Sequence, residues 1–291
     1  MNQFKVIIKE SWYYTLSKIF PGIFGLFFLS TLTRIIGIEE YGIYSLYMSQ
    51  YILIVSFSFG WLNQAELRYG YNKDRKFKLN LNYFLISSFL IFILINFFNY
   101  RYVSNSIDFS RSFYCILSLG IFSYVKTIFQ SRLLPKKVAY LATIQSISIL
   151  ILPLLINYFF QINSIHLLIT TAVASFFSTA IILARYIKYI TIDFFIIKPN
   201  FSIIKKWLKY GIPISVWGSM GLLLPFLDRY FISHSLDNES VGVYSAISEL
   251  TIRGLSFLII PITLAMHPRI INLWNNNRKK EAIQILTKSI F

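Results

Sequence analysis

The sequence predicts an all-α polytopic membrane protein with about eight membrane-spanning helices. Three observations support this prediction: 56% of the 291 residues are hydrophobic, only 14% are charged, and the mean hydropathy is +0.59. Ordinary soluble domains contain only about 45–50% apolar residues. The apolar residues here also form blocks of about 20 or more, the length that a helix needs to cross a hydrocarbon layer of ~30 Å.

Eight apolar blocks define the predicted spans. In chain order they cover residues 12–36, 42–67, 80–100, 112–134, 139–160, 164–190, 208–235 and 241–266. The first block is too long for the core of a signal peptide and lacks a small-residue cleavage site, so we expect it to remain in the protein as a helix.

The distribution of Lys and Arg predicts the orientation in the membrane. With the N-terminus in the cytoplasm, twenty of these residues fall in the inner segments, whereas the outer loops hold only Arg101 and Arg111. Retention of positive charge on the cytoplasmic side produces this asymmetry. It also accounts for the net charge of +16 without a nucleic-acid partner.

Motifs of soluble enzymes and metal sites are missing from the sequence. Cys115 is the single cysteine, and His166, His234 and His267 are far apart, so we expect no disulfide and no all-protein zinc site. The sequence has no phosphate-binding glycine loop, no paired histidines with a glutamate and no nucleophile elbow. We therefore expect neither enzymatic activity nor a cofactor.

A short motif occurs twice, displaced by 200 residues. Residues 39–45 read Glu-Glu-Tyr-Gly-Ile-Tyr-Ser, and residues 239–245 read Glu-Ser-Val-Gly-Val-Tyr-Ser. Each copy opens the second helix of a hairpin whose first helix contains an early proline, Pro21 or Pro213. Six spans separate the copies, and because six is an even number, both copies enter the membrane in the same direction. This predicts two lobes of parallel orientation with a cavity between them. The predicted lobes are residues 1–198, with six helices, and residues 199–291, which we expect to lack about four C-terminal helices.

Eight ionisable residues at membrane depth are the candidate site residues. Such groups are costly in hydrocarbon and usually face a protein interior or a wet cavity. The cations, which we expect to bind cargo, are Lys18, Arg34, Lys126, Arg229 and Arg253; the acids, which we expect to serve coupling or charge balance, are Glu66, Asp228 and Glu249. The excess of cations favours an anionic cargo, since arginine forks and lysine charges bind phosphate.

Each of these residues also has a structural interpretation. Glu249 and Arg253 are four residues apart and could neutralise each other on one helix face. Asp228 and Arg229 could form a pair at the membrane interface, and Glu66 could pair with Arg68. Lys18, Arg34 and Lys126 could extend their charged ends to the interface.

Four tyrosines, Tyr41, Tyr44, Tyr47 and Tyr51, form a stripe at helical spacing. The stripe could stack against sugar rings, but packing between helices is the favoured interpretation.

The sequence resembles one family, the Wzx-type flippases of lipid-linked oligosaccharides, in several motifs and in their order along the chain. This family lies within the superfamily that also includes multidrug-extruding antiporters. The resemblance covers nearly the whole chain. It rests on Glu40 to Ser45, on Tyr210-Gly211-Ile212-Pro213, on Asp228-Arg229-Tyr230 and on Glu239 to Ser245.

The resemblance implies two six-helix lobes around a central cavity and alternating access without ATP. It implies a cargo of oligosaccharide repeat units on undecaprenyl pyrophosphate, moved across the inner membrane for O-antigen, lipopolysaccharide or capsule synthesis. The implied partners are this lipid-linked oligosaccharide, membrane lipids, a polysaccharide polymerase and a chain-length regulator.

Two other functions stay open at this point. A cation-coupled multidrug antiporter of the same superfamily needs buried carboxylates, of which the first six spans offer only Glu66. A membrane-embedded polymerase or acyltransferase of polysaccharide assembly needs large outer loops rich in His, Asp or Arg, and the predicted loops are short.

Overall fold

The computed structural model describes residues 3–69, 77–101, 109–132, 134–185, 190–193 and 201–255, together with the single positions 283 and 287. At residues 3–18, 77–85, 97–101, 190–193 and 201–203 the description covers the backbone alone.

The described chain is a bundle of long helices, which confirms the predicted all-α fold. The helices are α1 (Gln3–Ile36), α2 (Ile38–Tyr69), α3 (Leu81–Arg101), α4 (Phe109–Ser131), α5 (Pro135–Phe159), α6 (Ser164–Arg185) and α7 (Phe201–Ser235), and residues 238–255 form the described part of α8. Within the described residues, α1, α2, α4, α5, α6 and α7 are long and apolar enough to cross a membrane, and α3 contributes the shorter apolar stretch Ile86–Asn96. Every predicted span overlaps one of the eight helices; the end of the last span, residues 256–266, lies outside the described residues.

Specific residues set the helix boundaries. Gly37 separates α1 from α2 with a φ of 85°, a left-handed conformation that only glycine adopts easily and that commonly ends a helix. The side chain of Asn163 caps α6 by accepting a hydrogen bond from the backbone N–H of His166 at 3.1 Å. Asp237 caps α8 in the same way through the N–H of Ser240 at 2.7 Å, and this hydrogen bond lowers the pKa of the exposed Asp237 carboxyl.

Glu40, in the first copy of the repeated motif, makes a cap that sequence analysis did not predict. One of its carboxylate oxygens accepts a hydrogen bond of 2.7 Å from the backbone N–H of Ser164, the first residue of α6. The first N–H groups of a helix have no partner within the helix, and a negative charge there is favoured by the helix dipole. Glu40 therefore ties the start of α2 to the start of α6.

Two short strands pair outside the helices. β1 (Phe77–Asn80) precedes α3 and β2 (Ile190–Asp193) follows α6; they pair in parallel, with Phe77 opposite Ile190. Both strands lie in segments that sequence analysis predicted as cytoplasmic loops. The pairing joins segments more than 100 residues apart, and no local pattern in the sequence indicates it.

The core lies between α2, α4 and α6. In each of these helices, more than half of the apolar stretch is buried. The largest fully buried side chains of the core include Trp61, Phe59 and Tyr124. The tyrosine stripe of α2 belongs to this core, since all four rings are less than 9% exposed. This supports the packing interpretation of the stripe. On α7, in contrast, Trp217 is 81% exposed, as expected of a side chain that faces lipid.

α2 packs most extensively against α7, through a seam of small residues. A β-carbon at Gly60 would clash with the Ser215 hydroxyl, and one at Gly211 would clash with the backbone of Trp61. Ser56 and Ser219 share a hydrogen bond of 2.7 Å across the same seam. Small residues allow the close approach on which helix association in lipid depends. The division at residues 198 and 199 into two lobes stays a prediction, and this seam crosses it.

Candidate functional site

The two copies of the repeated motif meet at one end of the bundle, which we call the Gly37 end. The α1–α2 turn and the α7–α8 turn lie side by side there. A β-carbon at Gly42 would clash with the carbonyl oxygen of Asn238, and one at Gly242 would clash with that of Ile38. Since both the glycines and their contacts are displaced by 200 residues, α2 and α8 meet in a reciprocal, two-fold arrangement.

A buried hydrogen bond completes this junction. Ser45 and Ser245 are the last residues of the two copies. The Ser45 hydroxyl donates a hydrogen bond of 2.8 Å to the Ser245 hydroxyl. The repeat is therefore a structural element, because it places two glycines and two serines where two helices touch.

A cavity of about 330 Å³ lies next to the junction, between α1, α2, α5 and α6 on one side and α7 and α8 on the other. Its apolar lining consists of Pro21, Phe24, Gly25, Phe28, Met48, Ile52, Ile149, Leu222 and Pro225. Its polar lining consists of Tyr44, Ser45, Ser49, Gln145, Ser146, Thr171, Arg229, Glu249 and Arg253. Three of the eight candidate site residues, Arg229, Glu249 and Arg253, thus come together around one space.

Arg253 links α8 to α1 across the cavity. Its Nη2 lies 2.8 Å from a carboxylate oxygen of Glu249, one helical turn earlier, and its Nη1 donates to the carbonyl oxygen of Pro21 at 3.1 Å. The guanidinium fills the space that a side chain at Gly25 would occupy. The predicted i,i+4 pair is therefore present, and it also lines the cavity.

Arg229 is held at the same cavity by α7 and α8. Its Nε donates to the hydroxyl of Ser245 at 2.9 Å, and its Nη1 donates to the carbonyl oxygen of Pro225 at 2.8 Å. The side chain is 9% exposed, which is rare for an arginine and requires hydrogen bonds such as these. Both cavity arginines thus donate to the carbonyl of a proline inside a helix.

The wall formed by α2, α5 and α6 is uncharged and polar. Tyr44 and Thr171 share a hydrogen bond of 3.2 Å between their hydroxyls, and the amide nitrogen of Gln145 donates to Ser175 at 2.8 Å. With two arginines and one glutamate on the opposite side, the cavity lining carries one positive charge in excess. Such a lining favours an anionic guest that also carries polar, uncharged groups.

Among the candidates whose side chains the structure describes, Arg34, Lys126, Asp228 and Glu66 do not line this cavity. Arg34 is exposed in the last turn of α1, where a cation can reach the membrane interface. Lys126 is half-buried in α4. Asp228 is exposed and accepts a hydrogen bond of 2.7 Å from the Tyr244 hydroxyl, so Asp228 and the neighbouring Arg229 have different partners. The side chain of Lys18 lies outside the described residues.

Glu66 forms a separate buried polar site within the first six helices. It is 4% exposed, accepts a hydrogen bond of 3.0 Å from the hydroxyl of Ser131 and interacts electrostatically with Arg132. The alternative of a pair with Arg68 is wrong, since the Arg68 guanidinium lies over the Tyr210 ring, 4.1 Å from its centre. The two residues on α2 face different neighbours because they are only two positions apart.

Sequence analysis missed the uncharged wall of the cavity. Ser49, Gln145 and Thr171 belong to three helices, and serine, threonine and glutamine are ordinary residues of membrane helices. The proline four residues before Arg229 was the one local signal for an arginine contact, whereas the contact from Arg253 to Pro21 spans 232 residues.

These features define a class of protein: a multi-pass helical membrane protein with a partly polar cavity between helix groups. Comparison with protein families gives a match to the polysaccharide biosynthesis protein family over residues 7–274. The chain belongs to this family. Fold and family together indicate a transporter-type protein. Comparisons with curated proteins and with solved structures gave no match.

Proposed function

We propose that this protein is a flippase that moves undecaprenyl-pyrophosphate-linked oligosaccharide repeat units across the bacterial inner membrane for O-antigen or capsule synthesis. The observation that carries the proposal is the convergence of Arg229 and Arg253 on one cavity between helix groups. The family match supports a role in polysaccharide biosynthesis.

The two arginines suit the pyrophosphate of such a cargo. A guanidinium presents several N–H donors in a planar fork, which fits phosphate oxygens and keeps its charge at any physiological pH. Glu249 offsets part of this charge. The polyprenyl tail would stay in the surrounding lipid, so that only the polar head enters the cavity.

The proposed orientation places the N-terminus and the strand pair in the cytoplasm, as the Lys and Arg distribution predicts. The Gly37 end would then face the periplasm. A polysaccharide polymerase and a chain-length regulator are the proposed partners there.

Replacement of the cavity arginines tests the proposal. In a strain that lacks the gene, Arg253→Ala and Arg229→Ala should each reduce polymer at the cell surface at least tenfold, measured against wild-type protein at equal membrane levels. Arg34→Ala is the matched control, because Arg34 is exposed and does not line the cavity. Normal export by both cavity variants, or equal loss in all three, would contradict the proposed cargo site.

The buried Glu66 favours the drug-antiporter alternative, since ion coupling needs a carboxylate shielded from solvent. Drug susceptibility separates the two functions. Under the flippase proposal, deletion of the gene stops polymer export and leaves drug susceptibility unchanged. Restored drug resistance on expression of the wild-type protein, but not of Glu66→Gln, would favour the antiporter.

A further inference from the structure

The hydrogen-bonding groups of the cavity are divided between two walls. Arg229 and Arg253, on α7 and α8, form the donor wall, because a guanidinium has only N–H donors and the carboxylate on this side, Glu249, already accepts from Arg253 at 2.8 Å. Ser49, Gln145, Ser146 and Thr171, on α2, α5 and α6, form the opposite wall. The two walls therefore differ in the chemistry of the groups that they can bind.

The hydroxyl hydrogens of the second wall are already engaged. Ser49 donates to the carbonyl of Leu46 at 2.7 Å, Ser146 to that of Ala142 at 2.8 Å, and Thr171 to that of Leu167 at 2.8 Å. A hydroxyl has one hydrogen and two lone pairs, so each of these side chains retains at least one acceptor for a guest, including Thr171, which also accepts from the Tyr44 hydroxyl. The amide nitrogen of Gln145 is engaged with Ser175, and its carbonyl oxygen is a further acceptor. We call these four residues the acceptor wall.

We propose that the acceptor wall binds the hydroxyl groups of the saccharide while the donor wall binds the pyrophosphate. This inference rests on the proposed function and names the side chains that recognise the sugar. Sugar hydroxyls can donate hydrogen bonds to the acceptor wall, whereas phosphate oxygens only accept them and are repelled by it. The division of donors and acceptors thus fixes one orientation of the head group.

The size of the cavity limits how many sugars of the saccharide can contact its walls. About 330 Å³ lies at the lower end of the ~300–1,000 Å³ that small-molecule pockets commonly have. The acceptor wall therefore contacts the sugar next to the pyrophosphate, and more distant sugars of a repeat unit extend beyond it.

Binding of two probes to the full-length protein in nanodiscs tests this assignment. The probes are undecaprenyl pyrophosphate and the saccharide-loaded lipid extracted from cells that lack the transporter gene. The test variant Ser49→Ala/Thr171→Val removes two acceptors with little change in shape. It should weaken binding of the saccharide-loaded lipid about tenfold, the loss expected for two hydrogen bonds, and leave binding of undecaprenyl pyrophosphate unchanged.

Four further variants make the result specific. Thr143→Val is the matched control, because Thr143 makes the same type of bond to its own helix, at 2.8 Å, and does not line the cavity. The exchange Ser49→Thr/Thr171→Ser keeps both hydroxyls and should keep the affinity for the loaded lipid. Arg253→Ala should weaken binding of both probes, and Ser146→Ala provides a single substitution if the double variant does not insert.

The outcomes separate this inference from the proposed function. Equal loss of affinity for both probes in the acceptor-wall variants, or no loss for either, would overturn the assignment while leaving the pyrophosphate site in place. Failure of the wild-type protein to bind either probe would overturn both proposals.

Discussion

At the scale of single residues, the cavity arginines are defined by what each one contacts. Arg253 is balanced by Glu249 at 2.8 Å, whereas Arg229 donates to a serine hydroxyl and a carbonyl oxygen. Both donate to the carbonyl of a helix proline, which has lone-pair capacity beyond its own helix bond. A guest anion would therefore meet one arginine whose charge is largely balanced and one whose charge is not.

Substitution of Glu249 tests this charge balance. Glu249→Gln keeps an oxygen that can accept from Arg253 but removes the negative charge, so undecaprenyl pyrophosphate should bind about threefold to tenfold more tightly, equivalent to ~1 kcal/mol. The measurement is the Kd for that lipid in nanodiscs, with Asp228→Asn as the control, since Asp228 is exposed and outside the cavity. Weaker binding would mean that Glu249 acts by positioning Arg253.

At the scale of helices, the contacts at the Gly37 end depend on the small size of two glycines and on the negative charge of one glutamate. Gly42 and Gly242 let α2 and α8 approach until their backbones touch. Glu40, two residues before Gly42, fixes the start of α6 against the start of α2. The motif at residues 39–45 therefore organises three helices within about two turns of α2.

Enlargement of Gly42 tests the helix junction. Gly42→Ala places a methyl group against the carbonyl of Asn238, so α2 and α8 must separate, and overpacking of this kind costs ~1–3 kcal/mol. Thermal unfolding in detergent should give a lower Tm than that of the wild type. Gly218→Ala is the control, because nothing lies within 4 Å of a β-carbon there and alanine favours a helix. An equal Tm for both variants would contradict the junction.

Removal of the Glu40 carboxylate tests the cap of α6. Glu40→Ala leaves the N–H of Ser164 without its acceptor and should reduce stability by ~1 kcal/mol. The neighbouring Glu39 is exposed, so Glu39→Ala should change the unfolding midpoint in detergent far less. A larger effect at Glu39 would show that the cap is unimportant.

At the scale of the whole molecule, the cavity lies beside the helix junction at the Gly37 end. The reciprocal glycine contacts and the bond between Ser45 and Ser245 hold α2 against α8 there. If the protein exchanges its cargo by alternating access, this junction must open once in each cycle. Arg229 also donates to Ser245, so a guest at the donor wall lies next to the junction.

A reversible cross-link tests whether the junction opens. Ser45→Cys/Ser245→Cys replaces two oxygens that lie 2.8 Å apart with sulfurs that can form a disulfide on oxidation. Polymer export in the complementation assay should fall on oxidation and recover on reduction, in a background where the buried Cys115 is replaced by serine. Each single cysteine variant should be insensitive to oxidant. Full export with the cross-link formed would show that cargo leaves by another route.

Local patterns along the chain were enough to predict the helical membrane fold, the positions of the spans and the repeated motif. These follow from hydrophobic blocks and from short motifs, which are properties of residues close together along the chain. The sequence also supplied Arg229, Glu249 and Arg253 as candidates, since ionisable residues at membrane depth are few and costly.

Which of these residues share a space became clear from the packing of the helices alone. The approach of Arg253 to Pro21, of Ser45 to Ser245 and of Glu40 to Ser164 joins positions 124 to 232 residues apart. The same holds for the acceptor wall, whose serine, threonine and glutamine side chains are common in any helix and gain their chemistry from facing one cavity. The physical reason is that helix packing, rather than helix formation, sets distances between segments, and packing depends on the close fit of side chains across the whole bundle.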